Sequence, residues 1–241
     1  MAEEWRECLE DRGLKVNRIK TVCMSCEFDD LEDQNRVDIE IDFQQMEQVK
    51  SFKYLGSVVQ DDGDMDEEIT NRIKSGWSSW RKCRGILCDK RMPLKLKSRI
   101  QQQVIRPAML YGSEAWVTKT RQEARLDVSE MRMLRWQCGV TRRDRIRNEF
   151  IRGSLKIAPI STKVKESRLR WYGHLRRRPE DHPTRRMMEL DPPGPRKRGR
   201  PKLRWLDCVR RDMRMMNLTD EIALNRNAWK RKIQDHCSDP K

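Results

Sequence analysis

The spacing of apolar positions changes character near residue 64. Before it, the pattern is short and alternating. "VDIEIDF", residues 37–43, sets Val37, Ile39, Ile41 and Phe43 on one side and Asp38, Glu40 and Asp42 on the other. A period of two marks a half-buried strand. "LKVN" (14–17), "TVCMSCEF" (21–28) and "FKYLGSVV" (52–59) read as further strands, and Asp61-Asp62-Gly63 as a turn. Residues 2–12 suit a short helix stopped at Gly13. Beyond residue 64 the period becomes helical: Ile69, Ile73, Trp77, Trp80 and Leu87 fall on one face. Trp77 and Trp80 are expected core residues. Asp64 suits the N-cap of this helix, and Asp66, Glu67 and Glu68 its first turn, where the helix dipole favours anions. More helices are expected over about 94–111, 121–138, 143–154, 163–177, 202–216 and 219–236. Pro107 is expected to kink or end the first of these. "DPPGPRKRGRPK", 191–202, reads as a linker. The predicted class is α+β: a small β-rich piece followed by a predominantly α-helical basic region.

Composition sharpens this picture. Charged residues make up 38% of the 241, against roughly 25% in average soluble domains. Leu, Ile, Val and Phe together reach only about 20%, the margin at which chains fail to bury enough apolar area. Thirteen Met and eight Trp add core material, so thin cores are expected. The net charge of +15 is divided unevenly: residues 1–70 carry −12 and residues 71–241 carry +27. So cationic a segment repels itself unless a polyanion neutralises it, which points to RNA, DNA or both as partners. The plainer alternative is a solvated basic surface.

Several classes are set aside. The acidic start has no apolar h-region, and no uncharged run approaches the roughly 18–20 residues of a membrane span. The expected location is nuclear or cytoplasmic, not secreted and not in a membrane. Eight scattered Cys fit free thiols in a reducing compartment. Cys23 and Cys26 form a lone CxxC with no second pair at zinc spacing, and His236 beside Cys237 is equally weak. "DDGDMDEE", 61–68, lacks the ligand ladder of a calcium loop. No metal site is predicted.

Two basic motifs stand out. "RLRWYGHLRRRP", 168–179, sets Trp171 and Tyr172 among Arg168, Arg170, Arg176, Arg177 and Arg178. Aromatics between cations suit base stacking with backbone neutralisation. Alternatively Leu169, Trp171 or Tyr172, and Leu175 pack in a helix core, and a core role is the favoured one for Trp171. His174 has no nearby partner for acid–base work, so structural or nucleic-acid contact is its expected use. "RKRGRPK", 196–202, matches the AT-hook pattern: Arg198 and Arg200 would enter a narrow minor groove, Gly199 would permit close approach, and Arg196, Lys197 and Lys202 would flank them. The same run matches a nuclear-import signal, or a basic linker touching phosphates without preference.

"RGLKVNRIKT" (12–21), "FKYLGSVVQDDG" (52–63), "VIRPAMLYGSEAW" (104–116), "RLRWYGHLRRRP" and "RKRGRPKLRWLDCV" (196–209) stand in one order along the chain. In that order they resemble consecutive segments of the endonuclease–reverse transcriptases of LINE-like, non-LTR retrotransposons, over nearly the whole chain. The resemblance implies a palm remnant at 1–63 with the motif D and E regions and a helical thumb-like region at 64–140. A basic helical region at 141–190, the basic Pro/Gly linker at 191–202 and C-terminal helices at 203–241 follow. It places Lys20 on the motif D lysine, a vestigial general acid toward pyrophosphate, with Lys15 the weaker candidate. Phe52, Lys53, Tyr54, Leu55 and Gly56 fall on the primer-grip region. The family's aromatic-Ala-Asp-Asp turn is not found, and Asp61 and Asp62 follow motif E, so they are not the catalytic pair. Two-metal phosphoryl transfer needs such carboxylates. The resemblance therefore implies a truncated polymerase that binds nucleic acid, is no enzyme on its own and holds no cofactor, although the intact family enzyme uses Mg²⁺. Other parts of a retrotransposon polyprotein are further candidate partners. Two alternatives remain at this point: a co-opted nuclear DNA-binding or adaptor protein, or a retrotransposon relic with no selected role.

Overall fold

The computed structural model describes residues 2–17, 19–26, 39–190 and 202–237. The chain is mixed α+β with a helical bulk. The described residues form two units, one running to Glu67 and the other from Glu68 onward.

In the first unit, helix α1 (Ala2–Glu10) is amphipathic, and its Arg6 pairs with Glu3 at 2.7 Å and with Glu10. Six short strands form three two-stranded pairs. β1 (Val22–Cys23) runs parallel to β4 (Glu47–Gln48). β2 (Glu40–Ile41) is antiparallel to β3 (Gln44–Gln45), and β5 (Ser51–Tyr54) to β6 (Ser57–Gln60). Three expectations are corrected here. Residues 37 and 38 of the strand anticipated over 37–43 lie outside the described residues, and its remainder ends early, because the chain reverses at Asp42 and Phe43, with φ of 52° and 59°. Phe43 is therefore 99% exposed, while Ile41 is buried. "FKYLGSVV" is a hairpin, not one strand. Leu55 and Gly56, with φ of 46° and 87°, supply its two-residue turn, the left-handed geometry that matches the twist of paired strands. "LKVN" forms no strand.

The junction after the hairpin follows the expected turn: the Gly63 amide donates to the Gln60 carbonyl at 3.1 Å. α2 (Asp66–Lys82) begins two residues beyond Asp64. The Gln60 side-chain oxygen accepts from the Glu67 amide at 3.0 Å, and Asp64 accepts from the Met65 amide at 2.7 Å. The cap is thus shared with a residue of β6.

The second unit continues through α3 (Arg84–Leu87), α4 (Leu94–Ile100), a π-helical turn (Gln101–Ile105) and α5 (Arg106–Leu110). Pro107 does not end this rod. A proline cannot donate a backbone hydrogen bond, and its ring clashes with the carbonyl four residues back. The wider turn just before it absorbs the mismatch: the Arg106 amide reaches Gln101. After a 3₁₀ turn (Ser113–Ala115) come α6 (Thr120–Gln137), α7 (Asn148–Leu155), α8 (Ile160–Arg176), α9 (Pro183–Glu189), α10 (Trp205–Met215), α11 (Asp220–Leu224) and α12 (Arg226–Cys237). α9 was not anticipated, and the helix expected to carry Leu87 breaks after Lys82 and resumes as α3.

Among the described residues, two apolar clusters join helices from α6 onward. Met131 and Leu134 of α6 meet Ile151 and Leu155 of α7, with Ile157. Leu169 and Tyr172 of α8 meet Val209 and Met213 of α10 and Trp229 and Ile233 of α12. Gly173 allows the second contact: a Cβ there would run into the Trp229 indole, whose nitrogen donates to the Leu169 carbonyl at 2.9 Å. Trp80 is buried and stacks edge-on with half-buried Trp77 at 5.5 Å and with Trp136 at 6.1 Å.

Thin apolar cores are supplemented by buried charge. Arg106 of α5 meets Glu130 of α6 at 2.7 Å, and Arg152 of α7 reaches the same carboxylate at 3.1 Å. The Ala158 carbonyl accepts from both guanidiniums. Glu68 and Arg72 pair within α2 at 2.6 Å. Of the thiols, Cys208 and Cys237 lie inside the core, where burial raises both; Cys237 is pushed up to about 11. Cys23 is half-buried in β1 and Cys26 is exposed. Among the described residues no three His, Cys, Asp or Glu side chains could hold a metal ion, and no helix is long and apolar enough to cross a membrane.

Candidate nucleic-acid interface

The basic run on α8 is divided by the helix into an inner and an outer face. Arg168 is wholly buried. It donates to Asp212 at 2.5 Å and to the Thr118 hydroxyl at 2.6 Å, with Glu123 at 3.8 Å. The Thr118 hydroxyl in turn donates to Glu123 at 2.7 Å, and Arg211 reaches Glu123 at 2.9 Å. Two cations and two carboxylates therefore balance inside the protein. Burial raises the Asp212 carboxyl above its ordinary value, and Arg168 and Arg211 offset only part of that rise. Arg168 was expected among the nucleic-acid cations; it has no surface to offer a phosphate and works as a core residue.

The expectation for Trp171 is reversed as well. Leu169, Tyr172 and Leu175 face the core, whereas Trp171 is 38% exposed. Its indole stacks on the His174 imidazole, with centroids 5.4 Å apart and planes at 20°. Arg170 stands beside this pair, held by Glu166 at 2.5 Å, and exposed Arg178 approaches His174 at 3.1 Å. Slight burial and then Arg178 and Arg177 push the His174 pKa down, so the ring is neutral near pH 7. Arg177 is half-buried and donates to the Ala223 carbonyl at 2.6 Å. Arg176 is also half-buried. The outer face thus brings together Arg170, Trp171, His174 and Arg178: a stacked ring pair between guanidiniums, suited to a base and its flanking phosphates.

A second basic surface was not singled out from the sequence. "TRRDRIRN", 141–148, was assigned mostly to the start of a helix, but α7 begins only at Asn148. Cations in the first turn oppose the helix dipole, and Asp144 binds back on Thr141, accepting from its amide at 2.6 Å and its hydroxyl at 2.8 Å. Those bonds hold the Asp144 carboxyl below the usual carboxylate range. Arg135 of α6 ties the loop down, donating to the Thr141 carbonyl at 3.1 Å, the Ile146 carbonyl at 2.7 Å and the Asn148 side chain at 2.9 Å. Arg142, Arg143, Arg145 and Arg147 are all exposed on this tethered loop. The signal available in the sequence was four arginines within six residues around a turn-forming Asp.

Lys20 and Lys15 are exposed, and the Lys20 amide donates to the Asn17 side chain at 3.2 Å. Phe52, Lys53, Tyr54 and Leu55 are exposed on the β5–β6 hairpin, with Gly56 in its turn. Phe52 faces Val59 across the pair, and Val59 is exposed too. Asp61 and Asp62 lie in the turn that follows. Arg196, Lys197, Arg198, Gly199 and Arg200 lie outside the described residues, whereas Lys202 is exposed just before α10.

No family model and no solved structure matches the chain. It is 26% identical over 197 residues to an uncharacterized transposon-derived protein of Caenorhabditis elegans, an alignment that takes in 77% of this chain and 70% of the nematode protein. Across most of its length, the chain is similar to a protein derived from a transposon.

Proposed function

We propose that the chain is the nucleic-acid-binding C-terminal part of a LINE-like reverse transcriptase, catalytically inactive by itself. The observation that carries the binding is the pair of exposed basic surfaces, the tethered loop with Arg142, Arg143, Arg145 and Arg147 and the Arg170–Trp171–His174–Arg178 face. The ordered motif blocks and the likeness to a transposon-derived protein support the origin. In this reading the first unit is a palm remnant, the β5–β6 hairpin is the primer grip, and the helices from α2 onward are thumb and basic region. Lys20 is the vestigial motif D lysine. The Mg²⁺ of the family enzyme has no fitting donor set among the described residues: Asp61 and Asp62 sit in a turn, and Asp62 accepts from the Asp64 amide at 2.8 Å. RNA and DNA are both proposed partners, because phosphate contacts do not distinguish them.

A two-part assay on one sample tests this. The purified chain is titrated into a labelled primer–template duplex and followed by anisotropy, then supplied with Mg²⁺ or Mn²⁺ and deoxynucleotides. Binding without extension is expected. Template-directed extension would overturn the inactive reading, and absence of binding would overturn the nucleic-acid reading.

A further inference from the structure

A cleft of about 670 Å³ opens where α8, α9 and α10 meet, within the roughly 300–1,000 Å³ usual for ligand pockets. Its floor is apolar: Val209, Met213 and Leu218 are buried core residues. Met188 of α9 forms a half-buried wall. Tyr172 lines the cleft, its hydroxyl donating to Asp220 and its ring 6.2 Å from that of Trp205. Around this floor stand three guanidiniums: Arg176 from α8, and Arg210 and Arg214 one turn apart on α10. Asp220 is the carboxylate of the lining, and Tyr172 already engages it. An apolar floor with an aromatic ring and a cationic rim complements a ligand with a flat, weakly polar part and several negative charges. Those are the properties of a base joined to phosphates.

We propose that this cleft takes an unpaired nucleobase, with Arg176, Arg210 and Arg214 holding the flanking phosphates. The inference rests on the nucleic-acid reading and adds to it a base-sized site distinct from the two exposed basic surfaces. A lipid with a neutral headgroup would fill the floor but bring no negative charge to the rim. A mononucleotide would fit, but a base within a strand also gives phosphates on both sides to arginines on two helices.

The test uses the full chain and two fluorescein-labelled single strands of equal length. One is oligothymidylate of about twelve nucleotides, within the usual site size of roughly 4–16; the other is built wholly of abasic sites. Their phosphates are alike, so only base contacts distinguish them. The wild-type chain should bind oligothymidylate at least about tenfold more tightly. Met188→Trp, which fills the cleft from its wall, should remove most of that preference while leaving binding of the abasic strand unchanged. Arg210→Ala with Arg214→Ala, both at exposed positions, should weaken the base-bearing strand more than the abasic one. Equal wild-type affinity for both strands would overturn the cleft and leave the nucleic-acid reading standing. Failure to bind either strand would overturn both. A preference that survives both sets of substitutions would put the bases on the Trp171–His174 face instead. Binding of an acidic amphipathic peptide that Met188→Trp blocks, with no base preference in the wild type, would assign the cleft to a protein partner.

Discussion

Asp212→Leu is expected to lower the stability of the helical unit by about 3–5 kcal/mol, a large part of what a domain of this kind possesses. The reason lies in what remains behind. Arg168 has no exposed surface, and its strongest partner is the Asp212 carboxylate at 2.5 Å. Without it, the guanidinium retains the Thr118 hydroxyl and a distant Glu123, in surroundings that solvate a charge poorly. Removing both charges tells a different story. Arg168→Met with Asp212→Leu leaves neither ion uncompensated, and apolar replacements of buried pairs are often neutral or stabilising. The double variant should therefore lie much closer to the wild type than Asp212→Leu does. Urea denaturation followed by far-ultraviolet circular dichroism measures all three. A single variant as stable as the wild type would mean that the pair contributes nothing to the fold.

The second large effect is on binding. Replacing Arg142, Arg143, Arg145 and Arg147 together by Ala should make the salt dependence of nucleic-acid affinity shallower by roughly three to four units. This follows from about 0.9 counterions released per phosphate contact on duplex DNA. In consequence, the deficit of the variant should be roughly a hundredfold larger at about 50 mM salt than at about 200 mM. The fold should survive, because Arg135 and Asp144 shape the loop through bonds to Thr141, Ile146 and Asn148, and neither is changed. Anisotropy titrations at several salt concentrations give both slopes. Parallel slopes would remove the loop from the interface.

The sequence conveyed the order of elements better than their turns. Helical periodicity from Ile69 onward located α2, α6, α8 and α10, because amphipathic spacing is a local property. The hairpin was read as one strand because Leu55 in a left-handed turn runs against its propensity; Gly56 was the visible hint. The strand over 37–43 failed for a related reason, since alternation does not reveal a reversal at Asp42 and Phe43. Pro107 was expected to kink or end its helix; it does not end it, because a π-helical turn accommodates it. On α8 the difficulty was one of partners. Asp212 lies 44 residues from Arg168, so nothing local separates that arginine from exposed Arg178. With Tyr172 and Leu175 inside, Trp171 is carried to the outer face. Charge density thus located the basic region, while burial decided which cations can meet a ligand.

Counterion release by the intact chain is the most direct test of nucleic-acid binding. Its affinity for a labelled random-sequence duplex should be measured from about 50 to about 300 mM monovalent salt. The exposed arginines on the loop and on α8 predict a linear fall of log affinity with log salt, at a slope of roughly −4 or steeper. Affinity that is independent of salt, or a chain that binds no duplex even at the lowest concentration, would contradict the proposal and leave the +27 charge of residues 71–241 as a solvated surface.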